Sequence, residues 1–299
     1  MKTFATTAMI SVVCMHVFAA SAFGRQFSAL SQSKAPAAAF AQLPERLKNA
    51  PTGSQFMTAI GKLNNAQRER AIVLEVLSGN FPSFLRDLKP VSFKSNDASG
   101  KIIRLTAFVM PDYLAVGSDR DFVRVPLNLI SAHLINDAFD TMLPTRKIVN
   151  EIYQQAEVKL SPRPMKPGAR MTSTGYYLNH NRTIQGQLGK YSDTQTKLVA
   201  GHKKDVVQTN KLLRKPRAIA IFGWHRLKSQ RPIQPLSTVH GARYADYSHG
   251  IRLISNWGYK EVDGESILVR LPDLLKDKKD WKLLSDEGRI KTHKISKAS

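Results

Sequence analysis

Residues 219–256 read IAIFGWHRLKSQRPIQPLSTVHGARYADYSHGIRLISN, and this stretch constrains the fold more than any other. Its flanks, 218–221 and 251–254, are short Ile-rich apolar runs of the length and composition of buried strands. Between them, residues 241–246 carry turn chemistry. The expectation is a hairpin that pairs 236–240 with 248–254 and brings His240 and His249 to one end of neighbouring strands. Three of the eight histidines fall in the stretch, with Ser237, Asp246 and Ser248 beside them. Imidazoles, a carboxylate and hydroxyls at strand ends form the raw material of a hydrolytic or metal site.

A chain of 299 residues, 42% hydrophobic, has ample material for a core. Its 45 basic and 23 acidic residues leave +22, an excess that favours polyanions such as acidic wall polymers, nucleic acid or an anionic membrane. No recognised nucleic-acid motif accompanies it. Lys2, the apolar run 8–20 and the small-x-small series Ala20-Ser21-Ala22 read as a bacterial secretory signal peptide, residues 1–22. The expected location is secreted or periplasmic. The single cysteine, Cys14, leaves with that segment, so the expected mature chain has no disulfide, thiol nucleophile or thiolate-bound metal. No later apolar run reaches the length of a transmembrane segment.

Residues 23–49, rich in Ala, Ser and Gln, read as a mobile linker, and 50–299 as one α+β domain. In that domain a helical N-terminal part packs beside a mostly antiparallel β part. Helical spacing of apolar residues covers 54–78, with Ser54 as a cap, and 126–156. Strands are expected at 101–110, 113–116 and 122–125, as one small antiparallel meander with a turn at 117–121. The Pro- and Arg/Lys-rich segment 160–170 reads as a crossing loop, and 176–188 as a strand and turn.

Residues 199–210 concentrate further chemistry: His202, Lys203, Lys204 and Asp205 before a Val-Val pair. On a helix, His202 and Asp205 would share a face as a histidine and its orienting carboxylate. The expected catalytic set is therefore His202, Asp205, His225 and His249. Lys203, Lys204, Trp224, Arg243, Tyr247, Ser248 and Arg252 are the expected substrate contacts. His240, Asp246 and His249 have the spacing H-x5-D-x2-H, which with water makes a zinc ligand set. Two imidazoles and a carboxylate at this spacing resemble the His and Asp half of the zinc D-Ala-D-Ala peptidases, whose gap is one residue longer. No Glu-x-x-His half accompanies them.

His240-Gly241 followed by Ser248-His249-Gly250-Ile251-Arg252-Leu253 resembles the HG and SHGCIRL blocks of the L,D-transpeptidases. The catalytic Cys between Gly and Ile is missing, which rules out a thioester step on that resemblance. Over most of its length, through GHKKDVV, GWH and PIQPLSTVHGARYADYSHGIRL, the chain also resembles a group of exported bacterial proteins of unknown activity. The expected function is a secreted hydrolase of a cell-envelope or other extracellular polymer, through a His/Asp site that zinc would complete. The alternative is a secreted, basic, polyanion- or carbohydrate-binding protein, its aromatics serving as stacking surfaces.

Overall fold

The structure, a computed structural model, describes residues 40, 43–97, 99–262 and 264–291. The expected signal peptide and most of the expected linker lie outside the described residues. The linker expectation is corrected at its end: Phe40 and Leu43 are buried in the main core, and Arg46 donates to Asn80 and to the carbonyl of Ala50. Among the described residues no helix is long and apolar enough to cross a membrane.

The fold is α+β, with eight α-helices among the described residues. Helices α1 (Gly53–Ala59) and α2 (Asn65–Leu77) both start with reciprocal caps: Thr52 with Gln55, and Asn64 with Gln67. Each pair satisfies two N–H groups that a helix start leaves bare. Thr52, and not Ser54, therefore sets the first boundary. The 3-10 turn Ser83–Arg86 leads to two long strands, β1 (Lys89–Asn96) and β2 (Ile102–Val109). Strands β3 (Ala115–Gly117) and β4 (Phe122–Arg124) form a small hairpin, and the expected meander is corrected: β2 joins a different sheet. Helix α3 (Leu129–Phe139), strand β5 (Thr141–Met142), helix α4 (Arg146–Gln155) and strand β6 (Val158–Lys159) follow.

Residues 161–168 are irregular, as their prolines dictate. The next segment corrects the sequence reading. Residues 176–188 belong to helix α5 (Thr174–Leu188), capped by the Ser173 side chain. Tyr177, His180, Asn181, Ile184 and Leu188 are its buried face, at spacings of three and four. Polar members of that face hid the period.

The remaining elements are β7 (Val199–Ala200), β8 (Lys204–Val206), α6 (Lys211–Arg214), β9 (Ile221–His225), β10 (Pro232–Ser237), β11 (His249–Gly250), β12 (Ile254–Val262), β13 (Glu265–Arg270), α7 (Leu271–Leu274) and α8 (Trp281–Leu284). One sheet is antiparallel, in the order β1-β2-β12-β13, with β5 also on β12. Val91, Phe93, Leu105, Ala107 and Val109 point inward from it, against Ile148, Ile152 and Tyr153 of α4. A second sheet has the order β10-β9-β8-β11, and its β8–β11 pair is parallel. Its buried residues Ile221 and Phe222 join the helical core of Phe56, Ile72, Ile135 and Phe139.

The expected hairpin between 236–240 and 248–254 does not form. Strand β10 pairs with β9 instead, and β11 pairs with β8. The segment between β10 and β11 is a chain of turns. One irregular bridge, Ala218 to Gly241, ties it to the start of β9.

Asp140 fastens the helical part to the large sheet. It ends α3 in the left-handed region, at φ 50°. Its carboxylate accepts from Asn256 Nδ2 at 2.8 Å and from Trp257 Nε1 at 2.9 Å. Asp140→Ala should cost roughly 1–3 kcal/mol, because it leaves those two donors bare and a Cβ-only residue in strained backbone. Asp140→Asn keeps an acceptor and tolerates the conformation, so it should cost less. Urea unfolding of both variants checks the ranking, and equal losses would contradict it.

Candidate functional site

The site is built on the two-residue pairing of β8 with β11. His249 lies opposite Lys204, and Gly250 opposite Asp205. Paired residues share a face of a sheet, so His249 and Lys204 project one way. Lys204 Nζ sits 5.0 Å from the centre of the Trp224 ring. Trp224 is buried, holds a left-handed φ of 61°, and has its Nε1 without a hydrogen-bond partner. Left-handed backbone at a bulky residue costs about 1–3 kcal/mol and gathers at functional sites.

His249 is fully buried, and neither ring nitrogen has a partner. Asp246 stands beside it. One Asp246 oxygen accepts from the Ser248 amide at 2.7 Å and the Ser248 hydroxyl at 2.6 Å, and the other accepts from the Tyr244 hydroxyl at 3.0 Å. Burial pushes the His249 imidazole down to about 4, against the pull of Asp246. Burial raises Asp246, but His249 and the two Ser248 bonds outweigh it and hold the carboxyl below its ordinary value. Near neutral pH the pair is thus a neutral imidazole beside a carboxylate. The Tyr244 ring meets His249 edge-on at 5.7 Å and stacks on exposed His240 at 4.2 Å.

Two other buried networks lie behind this face. Tyr113 donates its hydroxyl to Asp205 at 2.8 Å, and Arg252 lies 4.4 Å over the Tyr113 ring. Arg252 also donates to the carbonyls of Met110 and Val199, each at 2.7 Å. Gly250 is required here: a Cβ on it would fall 2.5 Å from the Tyr113 ring and 2.8 Å from Lys203. In the second network Arg124 grips Asp112, with its closest contact 2.5 Å, and donates to Asn181 at 3.0 Å. His202 Nε2 lies 3.0 Å from the same carboxylate, which assigns its proton to that nitrogen. Burial raises Asp112, but Arg124 and His202 outweigh it and hold the carboxyl far below the usual range. A cavity of about 330 Å³, bordered by Phe84, Phe122, Gln185 and Gln195, opens over this pair. Asp112 is already saturated by Arg124, His202 and the Tyr113 amide, so this carboxylate is not a free acid or base.

The six residues expected to converge are therefore distributed. His249 and Asp246 stand together, with His240 one ring further out. His202 and Asp205 do not pair on a helix: they flank the start of a strand, and each has its own partner. His225 turns to α4, bonding Asn150 at 3.0 Å and stacking on Tyr153 at 4.3 Å. Three expected substrate contacts are internal ties instead. Lys203, pushed down to about 7 by burial, donates to the Tyr247 carbonyl at 2.5 Å. The Tyr247 hydroxyl accepts from the Met165 amide at 2.7 Å, and Arg252 is held as described. Ser248 is spent on Asp246, whereas Lys204, Trp224 and exposed Arg243 remain at the candidate site or its rim. Among the described residues no group of three His, Cys, Asp or Glu is placed to hold a metal ion. The arrangement lends the zinc expectation no support, because Tyr244 separates His240 from His249 and takes one oxygen of Asp246.

Sequence reasoning missed Asp112, Tyr113, Arg124 and His180. His180 is buried against Tyr247 at 4.9 Å, and burial pushes it down to about 2. Only the three/four spacing of α5 could have flagged it; the other three carry no local signal. No family model, curated protein or solved structure matches the chain.

Asp205 generates a pH test. Burial pushes its carboxyl up to about 7, against the pull of Arg252. The folded state thus holds this proton more tightly than the unfolded chain. That contribution is complete below the ordinary carboxyl value near 3.8 and is lost as pH rises to about 7. Asp205→Asn keeps an acceptor for Tyr113 but cannot ionise. It should gain melting temperature on the wild type steadily between those two pH values. A constant offset across the range would contradict this.

Proposed function

We propose that this protein is an extracellular hydrolase of a cell-envelope polymer, with His249 as the group that moves the proton. One observation carries the reading: a buried, neutral imidazole with both nitrogens unpartnered stands beside a fixed carboxylate. Leaving buried polar atoms bare costs about 1–3 kcal/mol, and a structural histidine would be expected to use them. Asp246, held by Ser248 and Tyr244, stabilises the imidazolium as it forms. Lys204, on the same face, supplies positive charge where the attacked centre becomes negative. Water loses a proton to His249 as its oxygen bonds to the attacked centre, and the leaving group takes that proton when the polymer link breaks. The absent cysteine excludes the thioester route of the L,D-transpeptidases, since Cys14 is the chain's one thiol. Export and the extracellular setting rest on the N-terminal sequence.

The test is release of soluble fragments from purified peptidoglycan and from anionic wall polysaccharide. His249→Gln should lower turnover by roughly 10²–10⁴, and Lys204→Ala should also lower it. His225→Gln, whose ring serves α4, should leave turnover near the wild-type rate. Equal rates for wild type and His249→Gln, or no release by the wild type, would refute hydrolysis at this site.

A further inference from the structure

Between Asp205 and Asp246 the chain carries no acidic residue and eight Lys or Arg. All eight basic side chains are exposed. They fall in three segments that the fold joins. The loop 226–231 closes the β9–β10 hairpin, with the Arg226 amide donating to the Arg231 carbonyl at 2.9 Å. Edge strand β10 then runs from that loop to Leu236, whose carbonyl accepts from Lys211. Residues 211–217 lie against 240–243 through Ala242 N to Arg217 O at 2.7 Å and Ile219 N to His240 O at 2.9 Å. A strand of this length spans about 20 Å and carries no Lys or Arg itself, so the basic groups gather at its two ends, along one edge of the sheet. The stripe ends at His240, which stacks over Tyr244 and thus over the His249 site. The nearest acids at its other margin are engaged: Glu287 accepts from Thr209 and Asp286 pairs with Arg146.

We infer that this stripe is a subsite for a linear polyanion, a chain bearing carboxylates or phosphates, and leads it to His249. The inference rests on the hydrolase reading and names the substrate class of that site. A fixed row of like charges raises the local concentration of an opposite polymer and releases its counterions on contact. A linear chain can follow an edge strand from end to end, whereas a flat lipid surface cannot. The exposed apolar residues Leu213, Leu227 and Val239 come from three separate segments and make no lipid-seeking run.

The test measures binding of polygalacturonate and of polyphosphate, with neutral dextran and phosphatidylglycerol vesicles alongside. Wild type should bind one or both polymers, and the affinity should fall steeply with salt; which polymer binds tells carboxylate from phosphate. Arg214→Ser, Arg217→Ser, Lys228→Ser and Arg231→Ser combined should weaken binding roughly tenfold or more and flatten the salt dependence. A control of equal charge loss elsewhere, Lys94→Ser, Lys276→Ser, Lys278→Ser and Lys279→Ser, should bind as wild type does. Equal weakening in both variants would mean net charge alone and overturn the inference. Vesicle binding without polymer binding would overturn it too. His249→Gln should bind normally; binding by the wild type without turnover removes the hydrolase reading and leaves the stripe as a polyanion site. Turnover of a polyanion untouched by the stripe variant does the reverse.

Discussion

The parallel contact between β8 and β11 is the constraint on which the rest of the site depends. It is only two residues long, yet it decides what every neighbouring side chain can reach. It sets His249 beside Lys204 on one face and Gly250 beside Asp205 on the other. The second placement works because glycine leaves room for Tyr113, whose hydroxyl then reaches Asp205. The first leaves the His249 ring in a compartment bounded by Tyr244 and Asp246. So short a pair has little stability of its own. It is held by the packing of Arg252 on Tyr113 and by the Lys203 bond to the Tyr247 carbonyl.

The interior is unusually ionic for its size. Arg124, Asp112, Lys203, Asp205 and Arg252 are each nearly or fully buried. Removing charges from water costs several kcal/mol apiece, and pairing offsets this only when the remaining donors and acceptors are also satisfied. Arg124, with Asp112 and Asn181, meets that condition; Arg252 donates to two carbonyls but leaves its Nε bare. His249 and Trp224 do not meet it, because their nitrogens stay bare. His180 shares this with them, and what sets His249 apart is the Asp246 carboxylate beside it.

Much of the architecture was legible along the chain. Turn residues at 117–121 marked the β3–β4 hairpin, prolines marked the loop at 161–168, and apolar spacing marked α3 and α4. What failed was non-local. Strand β11 has two residues and β8 three, so neither carries a period, and their partnership depends on a register that distant chain segments set. A local hairpin was the natural reading of two apolar runs around a turn. Pro232 and Pro235 lie in β10, which is an edge strand of the second sheet; proline is tolerated there because an edge needs fewer N–H donors. His249, Asp246 and Lys204 stood out by residue type, but their grouping was not legible. Asp112, Tyr113 and Arg124 gave no sign, because a buried ion pair is defined by its partner and not by its neighbours in sequence.

The central claim is that His249 is a neutral base waiting beside a fixed carboxylate. Titration of the His249 ring by nuclear magnetic resonance, with the other histidines assigned by substitution, tests it most directly. The account predicts that the ring stays neutral through pH 6 and takes its proton only near the value of about 4 that burial imposes. In Asp246→Asn that value should fall further, because the pull of the carboxylate on the proton is gone. A His249 that titrates near the ordinary histidine value of about 6.5, indifferent to Asp246, would contradict the account.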